Sequence, residues 1–251
     1  MKVALFSGFP QELTYIIKNL RAEKVRNSPF VIWSARTASN EIIIVLSGMG
    51  TINSEAAWNY VNGEYRPDYI ISAGFGGALY EGAFIGDLVA ASGVMLYPDA
   101  AETNTAHRQQ NYLEVPGARD IMRRMSCAGV VHEGIILTLR HRLNKTEIEK
   151  GLLRGLSFPV CDMETFSLAK LSLLEGLPFF AVRAITDRFH EEIPQELFGV
   201  TDANGNYSLA RALKIILGNP ALIPSSIRMG KNAQLASRKI WQAAEELIRI
   251  I

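Results

Sequence analysis

Short runs of apolar residues, each bounded by glycine, proline or polar clusters, recur along the chain and predict buried strands. They cover residues 3–6, 69–73, 130–138, 159–161 and 179–185. The last run is almost unbroken after a Gly-Leu-Pro break, which is typical of a strand covered on both faces of a parallel sheet. Two further runs, at 30–34 and 42–47, flank a polar turn and predict paired strands.

Helical spacing of apolar positions fills several intervals between these strands. Pro10 follows the first strand at a position typical of a first helical turn. Residues 165–175 predict a helix buried on most sides, residues 209–217 a second, and residues 239–251 an amphipathic helix with one apolar face. Strands alternating with helices place the chain in the α/β class.

The length and composition predict one domain over residues 1–251. A chain of 251 residues, 48% of them hydrophobic, can bury one substantial core. The formal charge of +1 gives no general basic field, so nucleic-acid binding has no electrostatic support. We therefore expect small molecules or a second copy of the chain as partners.

Cysteine content and hydropathy predict a cytoplasmic protein. Cys127 and Cys161 are the two cysteines, and they lack the Cys-x-x-Cys or Cys/His spacing of a metal site. The first residues contain too short an apolar run for a signal peptide, and no stretch approaches the roughly 20 apolar residues of a membrane span. We expect a soluble protein with reduced thiols and no stable membrane insertion.

Two carboxylates follow predicted strands that are consecutive in the chain. Glu164 stands where the strand at 159–161 passes into a helix, and Asp187 follows the strand at 179–185. Ligands of open α/β sheets lie outside the carboxyl ends of the strands, so both acids are expected to face one pocket. Taken singly, each has an alternative interpretation as a helix-capping or first-turn acid favoured by the helix dipole.

Glycine-rich turns follow two other predicted strands. The segment 74–77, Gly-Phe-Gly-Gly, can present backbone N–H groups to an anion or a ribose. It is not a dinucleotide fingerprint, because Leu79 stands where the third glycine of that motif belongs. The segment 47–50, Ser-Gly-Met-Gly, brings backbone near a ligand or forms an ordinary strand-to-helix turn.

The segment 161–164, Cys-Asp-Met-Glu, together with 183–187, Arg-Ala-Ile-Thr-Asp, resembles the paired signature of the nucleoside phosphorylase and nucleosidase superfamily. Within it the chain resembles the methylthioadenosine/S-adenosylhomocysteine nucleosidases, and its C-terminal part resembles the hopanoid-associated phosphorylase group. The resemblance extends from the first strand to the last helix. It implies a three-layer α/β/α fold with a mixed central sheet, and a homodimer.

The same resemblance implies cleavage of the N-glycosidic bond of a purine nucleoside, with a 5′-substituted adenosine as the expected substrate and no metal or organic cofactor. Asp187 is expected to protonate the purine as general acid, and Glu12 to activate the attacking water. Glu164 is expected to bind the ribose hydroxyls, with Met163 packed against the sugar.

Four further residues complete the expected substrate-binding set, namely Cys161, Gly74, Phe75 and Arg183. Cys161 either lines the base side of the pocket or is a buried structural thiol. Phe75 departs from the family pattern, because the nucleosidases often carry there a serine that helps to position the water.

Two alternatives to hydrolysis stay open at this point. In a phosphorylase, Arg140 or Arg142 would hold phosphate, whereas the other interpretation makes them solvated loop residues. Glu12 favours hydrolysis, because the phosphorylases tend to carry an arginine at the matching position and a carboxylate repels phosphate. The second alternative is a nucleoside-binding protein without efficient catalysis. Residues 99–111 are expected to form a polar loop over the pocket.

Overall fold

A computed structural model describes most of the chain. It covers residues 1–98, 111–125, 131–141, 143, 145–148, 150–191, 193–194, 196–197 and 208–251. Several predictions lie outside these residues: Cys127, Arg142 and the polar loop at 99–111, of which Asn111 alone is described.

The described residues form strands and helices that alternate along the chain. The strands are β1 (Lys2–Ser7), β2 (Glu23–Lys24), β3 (Val31–Arg36), β4 (Glu41–Leu46), β5 (Tyr69–Ala78), β6 (Leu88–Leu96), β7 (Tyr112–Glu114), β8 (Val131–Thr138), β9 (Val160–Asp162) and β10 (Phe179–Asp187). The α-helices are α1 (Pro10–Leu20), α2 (Thr51–Tyr65), α3 (Ala118–Arg124), α4 (Lys150–Leu153), α5 (Thr165–Leu174), α6 (Leu209–Gly218) and α7 (Ile223–Ile250).

The strands pair into one mixed sheet. Strands β4, β1, β5 and β10 are parallel neighbours in that order, and β3 and β2 extend this side antiparallel. On the other side β10 pairs antiparallel with β6, which pairs parallel with β8, and β8 pairs parallel with β9. Because β9 pairs back onto β5, these five strands close a ring. The predicted α/β class with a mixed sheet is confirmed.

The register of the ring brings three strand ends to one residue. Gly77 of β5 lies opposite Asp187 of β10 on one side and opposite Cys161 of β9 on the other. The carboxyl ends of the strands at 159–161 and 179–185, predicted separately from sequence, are therefore both adjacent to the end of β5. This is the edge at which an α/β sheet places its ligand.

Two pairs of helices cover the sheet. α7 packs against α1 and lies along β10 and β5, and its buried face carries Ile240, Ala244 and Leu247 as predicted. α2 packs against α5, where the hydroxyls of Ser54 and Ser167 lie 2.7 Å apart. The residues between the helices and the sheet form the main apolar core.

The structure differs from the sequence-based predictions at three elements. Strand β5 continues through the glycine-rich segment to Ala78, because this segment pairs with both β10 and β9. Helix α7 begins at Ile223 instead of 239, since Pro224 is tolerated in the first helical turn. Helix α5 is buried on fewer sides than predicted, because Leu174 is 71% exposed.

A buried ion pair ties the three strand ends together. The Arg183 guanidinium of β10 donates to Asp162 Oδ2 of β9 from Nη2 at 2.6 Å and from Nε at 3.0 Å. The same Nη2 also donates to Ser72 Oγ of β5 at 2.8 Å. Asp162 Oδ1 accepts from Thr138 Oγ1 at 2.7 Å, so the remaining carboxylate oxygen is also bonded. The ion-paired side chains are 3% and 1% exposed.

We predict that Arg183→Met lowers the free energy of unfolding by about 3–5 kcal/mol, because it leaves the Asp162 carboxylate buried without its partner. Urea unfolding followed by circular dichroism measures the change. The double variant Arg183→Met/Asp162→Leu is expected to lose less than the sum of the two single variants. Additive losses would show that the two groups do not stabilise one another.

Candidate active site

A cavity of about 600 Å³ opens at the converging strand ends. Six of the eight site residues predicted from sequence line it: Glu12, Phe75, Cys161, Met163, Glu164 and Asp187. Gly74 and Arg183 are not among the described lining residues. Gly74 lies beside the Glu12 carboxylate, and Arg183 lies beneath the cavity in the ion pair with Asp162.

Glu12 is held by the first turn of α1. Pro10 occupies an initial helical position, and the Phe9 N–H donates to Glu12 Oε2 at 2.8 Å in a capping contact. The Phe75 N–H of β5 donates to Oε1 at 2.7 Å, so each oxygen has a fixed backbone donor. Burial raises the pKa of Glu12 above its usual range, although these donors and Arg183 act in the opposite direction.

Glu164 occupies the residue that precedes α5, at the strand-to-helix junction predicted from sequence. Its Oε1 accepts from the Gly50 N–H at 2.8 Å, and its Oε2 accepts from the Met163 N–H at 3.3 Å. Burial and, next, the Asp162 carboxylate raise the pKa of Glu164 to about 8. The Gly50 contact shows that the segment 47–50 approaches the site through its backbone.

Asp187 ends β10 in contact with a lysine that the sequence analysis missed. Lys145 Nζ lies 2.5 Å from Asp187 Oδ2 and donates to the backbone oxygens of Asp187, at 3.1 Å, and Arg188, at 2.5 Å. The Asp187 Oδ1 accepts from Thr186 Oγ1 at 2.8 Å. The Lys145 and Asp187 side chains are 8% and 17% exposed. Lys145 lies in a short 3-10 turn that follows Arg140 and Arg142 in the chain, and it belongs to no recognised sequence motif.

Each of the three carboxylates lies against a glycine. A Cβ on Gly74 would lie 2.8 Å from Glu12 Oε1, and a Cβ on Gly77 would lie 2.8 Å from Asp187 Oδ2. A Cβ on Gly8 would lie 3.1 Å from the Glu164 carboxyl carbon. The glycine-rich segment 74–77 therefore makes room for two acids of this chain.

Two further residues predicted from sequence, Cys161 and Arg140, differ in whether they line the cavity. Burial raises the pKa of the Cys161 thiol to about 12, and its Sγ lies 3.5 Å from the Gly77 carbonyl oxygen. The thiol is therefore a neutral wall group at neutral pH. Arg140 is exposed and is not among the described lining residues.

The part of the cavity away from the carboxylates is apolar. It is lined by Ile193, Leu197, two residues of α6 (Ala212 and Ile216) and two residues of α7 (Met229 and Ala233). α7 is tied to the strand end, because Asn232 Nδ2 donates to the Thr186 carbonyl oxygen at 2.9 Å. The C-terminal helices thus form one wall of the same cavity.

Two features are absent from the described ranges, a metal-ligand cluster and a membrane-spanning helix. No group of three or more His, Cys, Asp or Glu there could hold a metal ion. No helix in the described part of the chain is long and apolar enough to span a bilayer.

Comparison with known proteins supports the resemblance. A curated protein from Maridesulfovibrio salexigens, a 5′-methylthioadenosine/S-adenosylhomocysteine nucleosidase, is 25% identical over 210 residues, which cover 76% of this chain and 88% of that protein. The Streptococcus pneumoniae MTA/SAH nucleosidase, solved in complex with 8-aminoadenine, superimposes with a TM-score of 0.74 at 20% identity, and all of both chains is covered.

A structure with a different stated activity is also similar. The native futalosine hydrolase of Helicobacter pylori gives a TM-score of 0.72 at 16% identity over 100% of this chain and 98% of that one. The model of the phosphorylase superfamily matches residues 2–217, which include the three carboxylates, the glycine-rich strand end and the buried ion pair. The chain therefore belongs to the phosphorylase superfamily.

Proposed function

We propose that the protein hydrolyses the N-glycosidic bond of a 5′-substituted purine nucleoside and releases the free base and the ribosyl product. The observation that carries this proposal is the convergence of Glu12, Glu164 and Asp187 on one cavity. Relatives and structural neighbours named as nucleosidases support it, since they share this fold over most of their length.

Cleavage of such a bond passes through a transition state with positive charge on the sugar, as in glycoside hydrolysis. The reaction then needs a proton for the departing base, a nucleophile for the sugar carbon, and negative charge near the ring. Asp187, once protonated in the substrate complex, gives its carboxyl proton to the purine N7, and the electron pair of the broken C–N bond stays with the base. Glu12 accepts a proton from the attacking water, whose oxygen bonds to the sugar carbon.

Glu164 has the third task. Its carboxylate lies beside Met163 and accepts from the Gly50 N–H, which leaves lone pairs for ribose hydroxyls. In its ionised form Glu164 places a negative charge at this point, and that charge stabilises the sugar as it becomes positive. The fixed backbone donors on Glu12 and Glu164 mean that neither carboxylate must reorganise during the reaction.

Lys145 supports Asp187 as a positioning residue. When Asp187 gives up its proton, it becomes a carboxylate, and the Lys145 ammonium 2.5 Å away stabilises that charge. The two backbone carbonyls that accept from Lys145 hold the ammonium at the end of β10.

The charge of the cavity favours water over phosphate as the nucleophile. Its described lining contains five carboxylates, Glu12, Asp162, Glu164, Asp187 and Glu191, and one cation, Lys145. That cation is paired with Asp187. A phosphate next to Glu12 would meet a carboxylate in place of the guanidinium or ammonium groups that bind phosphates.

In this proposal the apolar wall formed by α6 and α7 binds the 5′ substituent of the nucleoside. A nucleoside with its ribose at Glu164 shares the cavity with the apolar residues of α6 and α7. An apolar 5′ group gains free energy when it is buried there. We also propose that the protein works in the cytoplasm as a homodimer, consistent with its cysteine content and with the family resemblance.

Glu12→Gln is predicted to lower kcat for adenine release by about 10²–10⁴ while KM changes by only a few-fold, because the substitution removes the base but keeps the shape. The assay follows adenine release from 5′-methylthioadenosine with and without inorganic phosphate. In the unsubstituted protein the rate is expected to be the same in both buffers.

Glu55→Gln is the matched control, since Glu55 is an exposed acid on α2. A strict requirement for phosphate would identify a phosphorylase and remove Glu12 from the water-activating role. Tight binding of the nucleoside with no base release would indicate a binding protein.

Lys145→Met is predicted to lower kcat by about 10²-fold, because the carboxylate formed at Asp187 loses its charged partner. Lys145→Arg keeps the positive charge and is expected to retain more activity than Lys145→Met. Asp187→Asn shows the activity that remains when the acid itself is removed. Lys170→Met, at an exposed lysine of α5, is the control. Unchanged kcat in Lys145→Met would exclude the positioning role.

Glu164→Gln is predicted to stabilise the protein at high pH. Because the folded-state pKa of about 8 exceeds the ordinary value of 4.5, the folded state binds the proton more tightly than the unfolded state. The contribution of Glu164 to stability is therefore most favourable below the ordinary value and is lost as pH rises through the folded pKa. The variant should gain up to about 5 kcal/mol at about pH 9 and little at about pH 4.5. Thermal unfolding at both pH values measures the gain in stability. An equal gain at both pH values would contradict the raised pKa of Glu164.

A further inference from the structure

The C-terminal helices carry a concentration of positive charge that the neutral composition of the whole chain conceals. Residues 203–244 contain no Asp or Glu and hold six cations: Arg211, Lys214, Arg228, Lys231, Arg238 and Lys239. The rest of the chain carries 20 of the 26 Lys and Arg against all 25 Asp and Glu. Residues 203–244 thus carry an excess of six positive charges, whereas the rest of the chain has an excess of five negative charges.

The same helices expose large apolar side chains. Leu213 and Leu217 of α6 are 52% and 79% exposed, and Ile223 and Ile227 of α7 are 44% and 54% exposed. In each helix the two residues are four apart and therefore share one side. Exposed apolar residues that cluster on one surface commonly mark a contact with another molecule or with a membrane.

The exposed side of each helix lies beside the side that lines the cavity. On α7 the cavity side carries Ser226, Met229 and Ala233 and extends to Gln234. Ile223, Ile227 and Lys231 recur every fourth residue along the edge of that side. On α6 the cavity side carries Ala212 and Ile216. We call the exposed sides the outer face, formed by Leu213, Leu217, Ile223 and Ile227 with Arg211, Lys214, Arg228 and Lys231.

We propose that the outer face docks the protein on an anionic lipid surface. Apolar side chains flanked by lysine and arginine are the combination that binds such a surface, since the apolar groups enter the boundary and the cations meet the headgroups. One nearby acid, Glu191, is paired with Arg228 at 3.8 Å, and no described acid pairs with Lys214 or Lys231. The cavity wall formed by the inner sides of α6 and α7 would then lie next to the lipid.

The test is flotation of the purified protein with vesicles of phosphatidylcholine alone and of phosphatidylcholine mixed with phosphatidylserine. Binding is expected to the mixed vesicles only and is expected to weaken as salt is added. Lys214→Gln/Lys231→Gln should reduce binding to the mixed vesicles by about 30-fold, at about 1 kcal/mol for each cation. Leu217→Glu/Ile227→Glu should abolish it.

Matched controls use exposed residues on other elements. Leu174→Glu of α5 and Lys24→Gln of β2 should bind vesicles as the unsubstituted protein does. Circular dichroism and sedimentation velocity establish folding and oligomeric state for every variant. No binding to mixed vesicles, or equal binding to both kinds, overturns the proposal. It is also overturned if Leu217→Glu/Ile227→Glu dissociates an oligomer, because the outer face is then an interface between copies. None of these measurements depends on the proposed hydrolysis.

Discussion

The ion pair between Arg183 and Asp162 is the interaction on which the site depends. It joins β10 to β9, and the Ser72 contact extends it to β5, so that three strand ends meet around Gly77. Because the pair is buried and every charged oxygen has a donor, a displaced strand would leave a buried charge unpaired. The positions of Asp187 on β10 and of Met163 and Glu164 after β9 follow from this junction.

The carboxyl groups of Glu12 and Glu164, which line the cavity above this ion pair, are in a different environment. Glu12 and Glu164 each keep a backbone donor, but the surrounding burial still disfavours their ionised forms. The protein pairs Asp162 with a buried cation, whereas Glu12 and Glu164 accept from backbone N–H groups and keep raised pKa values. Acids with raised pKa values of this kind are typical of sites that bind polar ligands and transfer protons.

Much of this arrangement could be predicted from local pattern. The apolar runs located seven of the ten described strands and missed β2, β6 and β7. The ends of the located strands identified Glu164 and Asp187, because the runs follow from residue periodicity. Lys145 could not be found this way, since its contact with Asp187 joins residues 42 positions apart in the chain. The buried role of Arg183 was missed for the same reason: its partners lie on two other strands. The early start of α7 was concealed by Pro224 and by serines that favour turns in isolation.

The glycines at 8, 74 and 77 have a consequence for how related sequences are read. An alanine at Gly8 or Gly74 would press on the carboxyl end of an acid, and an alanine at Gly77 would press on the side chains of Asp187, Cys161 and Lys145. In each case the nearest contacts are with side chains and not with the backbone. The acid, however, would be displaced from the position where it acts. A paralogue that retains all three acids and lacks one of these glycines is therefore a candidate pseudoenzyme. The added methyl group identifies it, although every functional group of the site is still present.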